Sequence, residues 1–126
     1  MNITIRQAID RADELYPNGY SEEQKRKWLS TLDHNIYENV IKTHEGADDV
    51  EFSGYDVNTD GATELLVPAP FDDVYLYWLG WHYDLFNTDI NNYNNKVALY
   101  DNVYDKYEAW YNRTHMPKQT ARERYF

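Results

Sequence analysis

Phe71-Asp72-Asp73-Val74-Tyr75-Leu76-Tyr77-Trp78-Leu79-Gly80-Trp81-His82-Tyr83-Asp84-Leu85-Phe86 is the stretch whose reading decides the fold. Val74, Tyr75, Trp78, Leu79, His82, Leu85, Phe86 and Ile90 recur at helical spacing, so this is an amphipathic helix rather than a strand. Pro68-Ala69-Pro70 cannot sit in a helix interior, but proline suits a first helical turn. The helix therefore begins near Phe71, with Asp72 and Asp73 complementing its N-terminal dipole. Downstream the apolar spacing continues through Tyr93, Val97, Tyr100, Tyr104, Tyr107 and Tyr111. Asn91-Asn92-Tyr93-Asn94-Asn95 is a poor helix former, which predicts a tight turn or weak point there and a fourth helix to about Arg113. Beyond Met116-Pro117 no apolar period remains, and residues 116–126 read as an extended, basic tail ending in Tyr125-Phe126.

Upstream, Thr4 with Gln7 has capping-box form and opens a first helix to about Tyr16. Pro17-Asn18-Gly19 is turn chemistry, and Ser21 with Gln24 opens a second helix that carries Trp28, Leu29, Leu32, Ile36, Val40 and Ile41 on one face. It should reach about His44 and stop at Gly46. Between residues 47 and 69 the helical period is lost, and Val50-Glu51-Phe52 and Glu64-Leu65-Leu66-Val67 read as two short extended runs around an Asp- and Asn-containing turn. The expectation is an all-α four-helix bundle over residues 1–115, with a β-hairpin inserted between helices two and three at about 47–69 and an extended C-terminal tail over 116–126.

The chain has 126 residues, enough to bury roughly two-thirds of its unfolded surface in one domain. It has no Cys, so neither a disulfide framework nor a zinc-thiolate site is available. No apolar run approaches the ~18 residues that span a bilayer, which predicts a soluble protein made in the cytoplasm without a membrane partner. A net charge of −10 argues against a protein that reads nucleic-acid sequence through basic patches. It suits a surface that DNA slides past without sticking. Thirteen Tyr, four Trp and four Phe supply much of the apolar area, as either a Tyr-rich core or surfaces that are half core and half interface.

No catalytic constellation emerges. The four histidines lack metal-ligand spacing, no serine sits in a nucleophile context, and no phosphate-cradling glycine loop occurs. His82, on the aromatic face, reads as a hydrogen-bonded core histidine. Asp56-Val57-Asn58-Thr59-Asp60-Gly61 matches the first half of a calcium loop, with Glu64 at the ninth position, but Val67 stands where a bidentate Glu belongs. Asp56, Asn58, Asp60 and Glu64 are thus a weak metal set, and the competing reading is an Asx turn. No cofactor is expected.

Leu15-Tyr16-Pro17-Asn18, Lys27-Trp28-Leu29-Ser30, Thr43-His44-Glu45-Gly46, the run Glu64 to Asp72, and Tyr111-Asn112-Arg113-Thr114-His115-Met116-Pro117 together resemble a family of small head-assembly proteins of tailed phages and prophages of Gram-positive hosts. The resemblance covers residues 5 to 118. In size, helical organisation and charge that family is similar to head-completion adaptors. The resemblance implies a non-enzymatic head-tail connector that forms a twelvefold homo-oligomeric ring beneath the portal. Its partners would be the portal protein, a downstream stopper or tail-completion protein and passing genomic DNA. It would sit in the virion at the head-tail interface, and in the host cytoplasm during assembly. Expected portal contacts are Lys118, Gln119, Arg122, Arg124, Tyr125 and Phe126. Expected subunit contacts, shared with the core, are Trp78, Trp81, Tyr83, Tyr104, Tyr107, Trp110 and Tyr111. The alternative is a small acidic binding or regulatory module, calcium-responsive through residues 56–61.

Overall fold

A computed structural model describes residues 2–45 and 52–116, and among them it holds four α-helices and no strand. These are α1 (Ile5–Leu15), α2 (Glu22–Ile36), α3 (Asp73–Phe86) and α4 (Ile90–Thr114), with a π-helical turn over Tyr37–Ile41. The architecture is all-α. α1, α2 and α3 pack on one another, and α4 lies along α3.

The caps of α1 and α2 fall at the residues the sequence implies, with the reciprocal capping-box bond formed at Thr4. Thr4 accepts the Gln7 amide at 3.1 Å while the Gln7 side chain accepts the Thr4 amide at 3.0 Å. Ser21 accepts from the Gln24 amide at 3.2 Å. α1 buries Ile5, Ala8, Ile9 and Ala12, and α2 buries Trp28, Leu29, Leu32 and Ile36. Helix two does not continue as an α-helix to His44. Its end widens into the π-turn, where the Lys42 amide bonds the Tyr37 carbonyl at 2.8 Å. One extra residue in the turn lets the adjacent Val40 and Ile41 both reach the core.

The break between α3 and α4 falls at residues 87–89, earlier than the asparagine run. Thr88 turns the chain at φ 61°, and Asp89 caps the next helix by accepting from the Asn92 amide at 3.3 Å and its side chain at 2.7 Å. With that cap in place, Asn91, Asn92, Asn94 and Asn95 lie in the first turns of α4 with their side chains exposed. Ile90, expected on the buried face of helix three, is 57% exposed. Where α3 passes the end of α1, Gly80 is needed for close approach, because a Cβ there would lie 2.7 Å from the ring of Tyr16, the residue that caps α1. Lys96 of α4 sits 3.9 Å over that ring and pairs with Asp84 at 2.5 Å.

Among the described residues the inserted β-hairpin is not supported. Of its first run, Val50 and Glu51 lie outside the described residues, and residues 52–67 contain no strand. The second run pairs instead with the start of the chain. The Leu65 amide bonds the Ile3 carbonyl at 2.9 Å, the Ile5 amide bonds the Thr63 carbonyl at 3.0 Å, and Thr4 and Glu64 form an isolated antiparallel bridge. The physical reason is burial. Leu65 and Val67 are 1% and 0% exposed, so this apolar run is core and its backbone groups need partners inside the fold, which the chain start and side chains supply. The segment clasps the bundle rather than reaching beyond it.

Candidate functional site

Asp33 holds the insertion to the helices. It follows Leu29 by four residues and precedes Ile36 by three, so helical geometry puts a carboxylate on the core face of α2, where it is 0% exposed. Its Oδ2 accepts from the Tyr55 hydroxyl at 2.5 Å and the Leu66 amide at 3.1 Å. Its Oδ1 accepts from the Tyr75 hydroxyl at 2.6 Å, and that hydroxyl in turn accepts the Val67 amide at 2.8 Å. Burial pushes the carboxyl up to about 6, against the pull of the three hydrogen bonds. Burial likewise raises the Tyr55 and Tyr75 hydroxyls, with the Asp33 charge adding to the effect. Asp33 ties α2, α3 and the insertion together. Sequence reading missed this hub, although an acidic residue between Leu29 and Ile36 on an apolar face is the signal that marks it.

A second anchor is Arg26, 5% exposed, whose guanidinium donates to the carbonyls of Asp56, at 2.8 Å, and Thr59, and to Glu22 at 3.2 Å. The weak metal set is accounted for in the same place. Asp56 accepts from the Asn58 amide at 2.8 Å, Asp60 accepts from the Ala62 amide at 2.9 Å, and Glu64 accepts from the Asn2 amide at 2.6 Å. Asp56 and Asp60 thus form Asx turns, the first held by Arg26, while Glu64 bonds the chain start. Among the described residues no three His, Asp or Glu side chains are grouped as a metal ion requires.

The aromatic residues of α3 and α4 divide into two groups. Tyr83, Tyr107 and Tyr111, expected to serve core and subunit contact alike, are buried within the single chain and belong to the core. Trp78, Trp81, Tyr104 and Trp110 are half-buried. Trp78 donates its indole N–H to the Trp28 carbonyl at 2.8 Å. His82 lies between Trp28 and Trp81, stacked on the latter at 3.7 Å, with Nδ1 donating to the Trp78 carbonyl at 2.6 Å. Burial lowers its pKa to about 4, so it is a neutral core histidine at physiological pH. Farther along α4, Phe71 packs 5.5 Å from Trp110 and 6.0 Å from Tyr107. Of the 25 residues of α4 only Tyr107 and Tyr111 are buried, while Ile90 and Leu99 are exposed and Tyr93, Tyr100, Tyr104 and Trp110 are partly so. Leu85 and Phe86 add exposed apolar area where α3 ends.

The C-terminal root is fixed by His44, buried beneath α4. His44 Nδ1 faces the Val40 carbonyl at 2.6 Å and Nε2 faces the Asn112 side chain at 2.7 Å. The Glu45 amide donates to the Met116 carbonyl at 2.7 Å. The expected portal contacts, Lys118, Gln119, Arg122, Arg124, Tyr125 and Phe126, lie outside the described residues. A groove of about 340 Å³ opens beside this root, lined by Ile41, Leu65, Pro68, Tyr107, Trp110 and His115 among others. No helix among the described residues is long and apolar enough to cross a membrane. Compared with protein-family models, with curated proteins and with solved structures, the chain matches none.

Proposed function

We propose that this protein is a structural head-tail connector of a tailed phage, assembling as a ring beneath the portal and bridging head to tail around the DNA channel. The observation that carries this reading is α4. A 25-residue helix that buries only two side chains in its own protomer, yet bears three further tyrosines and a tryptophan, has a face suited to a neighbouring subunit. A ring uses heterologous contacts, and the exposed Leu85, Phe86 and Ile90 at the α3–α4 corner offer a second apolar area for them. The charge supports the same reading, since −10 per protomer repeated around a lumen repels the DNA backbone and lets the genome move. Several carboxylates are engaged within the fold: Asp33 is sealed, Asp56 and Asp60 hold their own turns, and Asp13 accepts from Lys25 at 2.9 Å. The basic tail then serves as the portal-gripping element, with Lys118, Arg122 and Arg124 steering and Tyr125 and Phe126 anchoring.

Truncation after Pro117 tests the assignment. Helicity by circular dichroism should be unchanged while co-sedimentation with the cognate portal is lost. A truncated chain that still binds the portal refutes the tail's role, and a full-length chain that never binds it refutes the connector.

A further inference from the structure

We propose that the cleft between Tyr20, Gln24, Trp28 and Phe86 binds a small quaternary ammonium compound, a free molecule that carries a trimethylammonium head. The cleft lies between the first turns of α2 and the end of α3 and holds about 140 Å³. Three of its four sides are aromatic. The Trp28 and Phe86 rings are nearly parallel, at 13° with centroids 5.8 Å apart. Tyr20 stands across both, at 73° and 5.3 Å from Trp28 and at 67° and 6.4 Å from Phe86. One cation can therefore sit within about 6 Å of all three centroids, the range over which a ring quadrupole attracts it. The fourth side is Gln24, an uncharged amide that can pair with a hydroxyl on the ligand.

The fold sets these rings in place without a ligand. Trp28 is 8% exposed, and the Tyr20 hydroxyl donates to Asn87 Oδ1 at 3.1 Å while its ring stacks on the buried Tyr83 at 5.6 Å. Phe86, the last residue of α3, is 60% exposed and completes the cage. The cage lacks an internal cation. Among the described residues Lys25 stands over Tyr83, with its charge met by Asp13 at 2.9 Å, and Lys96 stands over Tyr16, but none stands over Tyr20, Trp28 or Phe86. His82, behind Trp28, is neutral at physiological pH because burial lowers its pKa to about 4. A net charge of −10 draws cations toward the protein. The class of cation follows from the lining, which has no carboxylate. A primary ammonium entering here would give up hydrogen bonds to water, whereas a quaternary one has no N–H to satisfy. Since a cavity of about 150 Å³ holds a benzene, this cleft takes the trimethylammonium head and leaves the rest of the molecule in solvent. The site is complete within one protomer and independent of the connector reading.

The test titrates isotope-labelled full-length protein, without portal, with choline at constant ionic strength. A parallel titration uses its neutral analogue, in which carbon replaces the nitrogen. The Trp28 indole signal and the Tyr20 and Phe86 ring signals should shift saturably, with choline bound about tenfold or more tightly than the analogue. Phe86→Leu keeps an apolar wall but removes a ring, so it should weaken choline by about three- to tenfold and leave the analogue's affinity and the helicity unchanged. No saturable shift, equal affinity for the neutral analogue, or full choline affinity in Phe86→Leu overturns the proposal. So does co-sedimentation with phosphatidylcholine vesicles in the absence of any response to free choline, because the occupant is then a lipid surface.

Discussion

Asp33 and His82 are buried titratable groups whose preferences oppose one another across one pH window. The Asp33 carboxyl is raised from 3.8 to about 6, so the folded state favours its protonated form, and the stability it contributes is present at low pH and lost as pH rises through about 6. Over its full range that is on the order of 3 kcal/mol. His82 is lowered from 6.5 to about 4, so its neutral form is favoured, and its contribution is present above about 6.5 and lost as pH falls through about 4. Asp13 and Glu22, held below their ordinary values, act at lower pH, where acid removes their contribution. Between about pH 4 and 6.5 the wild-type stability should therefore be comparatively flat. Urea denaturation of His82→Gln should instead show stability falling as pH rises through that window, and an unchanged profile contradicts the assignment. Tyr75→Phe leaves the Val67 amide without its acceptor and removes one donor from Asp33, so it should cost about 1–3 kcal/mol, measured the same way at pH 7. A cost near zero would mean that the hydroxyl does not bridge α3 to the insertion.

At the level of elements, the close crossing at Gly80 runs against local propensity. Alanine forms helix better than glycine by about 1 kcal/mol, yet a Cβ at this position meets the Tyr16 ring at 2.7 and 2.9 Å and Lys96 at 3.1 Å. Gly80→Ala should therefore destabilise by about 1–3 kcal/mol in thermal or urea unfolding, whereas stabilisation would show that Tyr16 yields freely. The sequence made the caps at Thr4 and Ser21 legible because local hydrogen-bonding chemistry decides them, and the apolar periods located all four helices. The α3–α4 break was misplaced because five residues rich in asparagine outweighed a single capping residue, Asp89, in the reading of propensity. The hairpin was misread for a different reason. A buried run such as Leu65 to Val67 looks the same whether its backbone partner is an adjacent strand or the distant start of the chain, and only tertiary contact with Ile3, Asp33 and Tyr75 separates the two. The calcium-like spacing reads two ways for a similar cause, since Asp56 and Asp60 accept from the backbone turns that the same residue types favour.

For the whole molecule, the connector account rests on α4 presenting a partly covered aromatic face and on an acidic protomer with a basic end. Composition alone made the excess of aromatics visible, but not their division: Tyr83, Tyr107 and Tyr111 complete the core, and Trp78, Trp81, Tyr104 and Trp110 are left at its edge. Sorting them needed the crossing of α3 and α4, which no single-helix pattern contains. If the edge residues form the subunit contact, Tyr104→Ala with Trp110→Ala should leave a folded monomer whose sedimentation no longer shifts on assembly, and retained assembly would place the contact elsewhere. Electron microscopy of the purified full-length protein mixed with its cognate portal addresses the assembly directly. The account predicts a twelvefold ring seated beneath the portal, with α4 at the boundary between adjacent subunits. Portal particles without added density, or density that follows no ring symmetry, would contradict it.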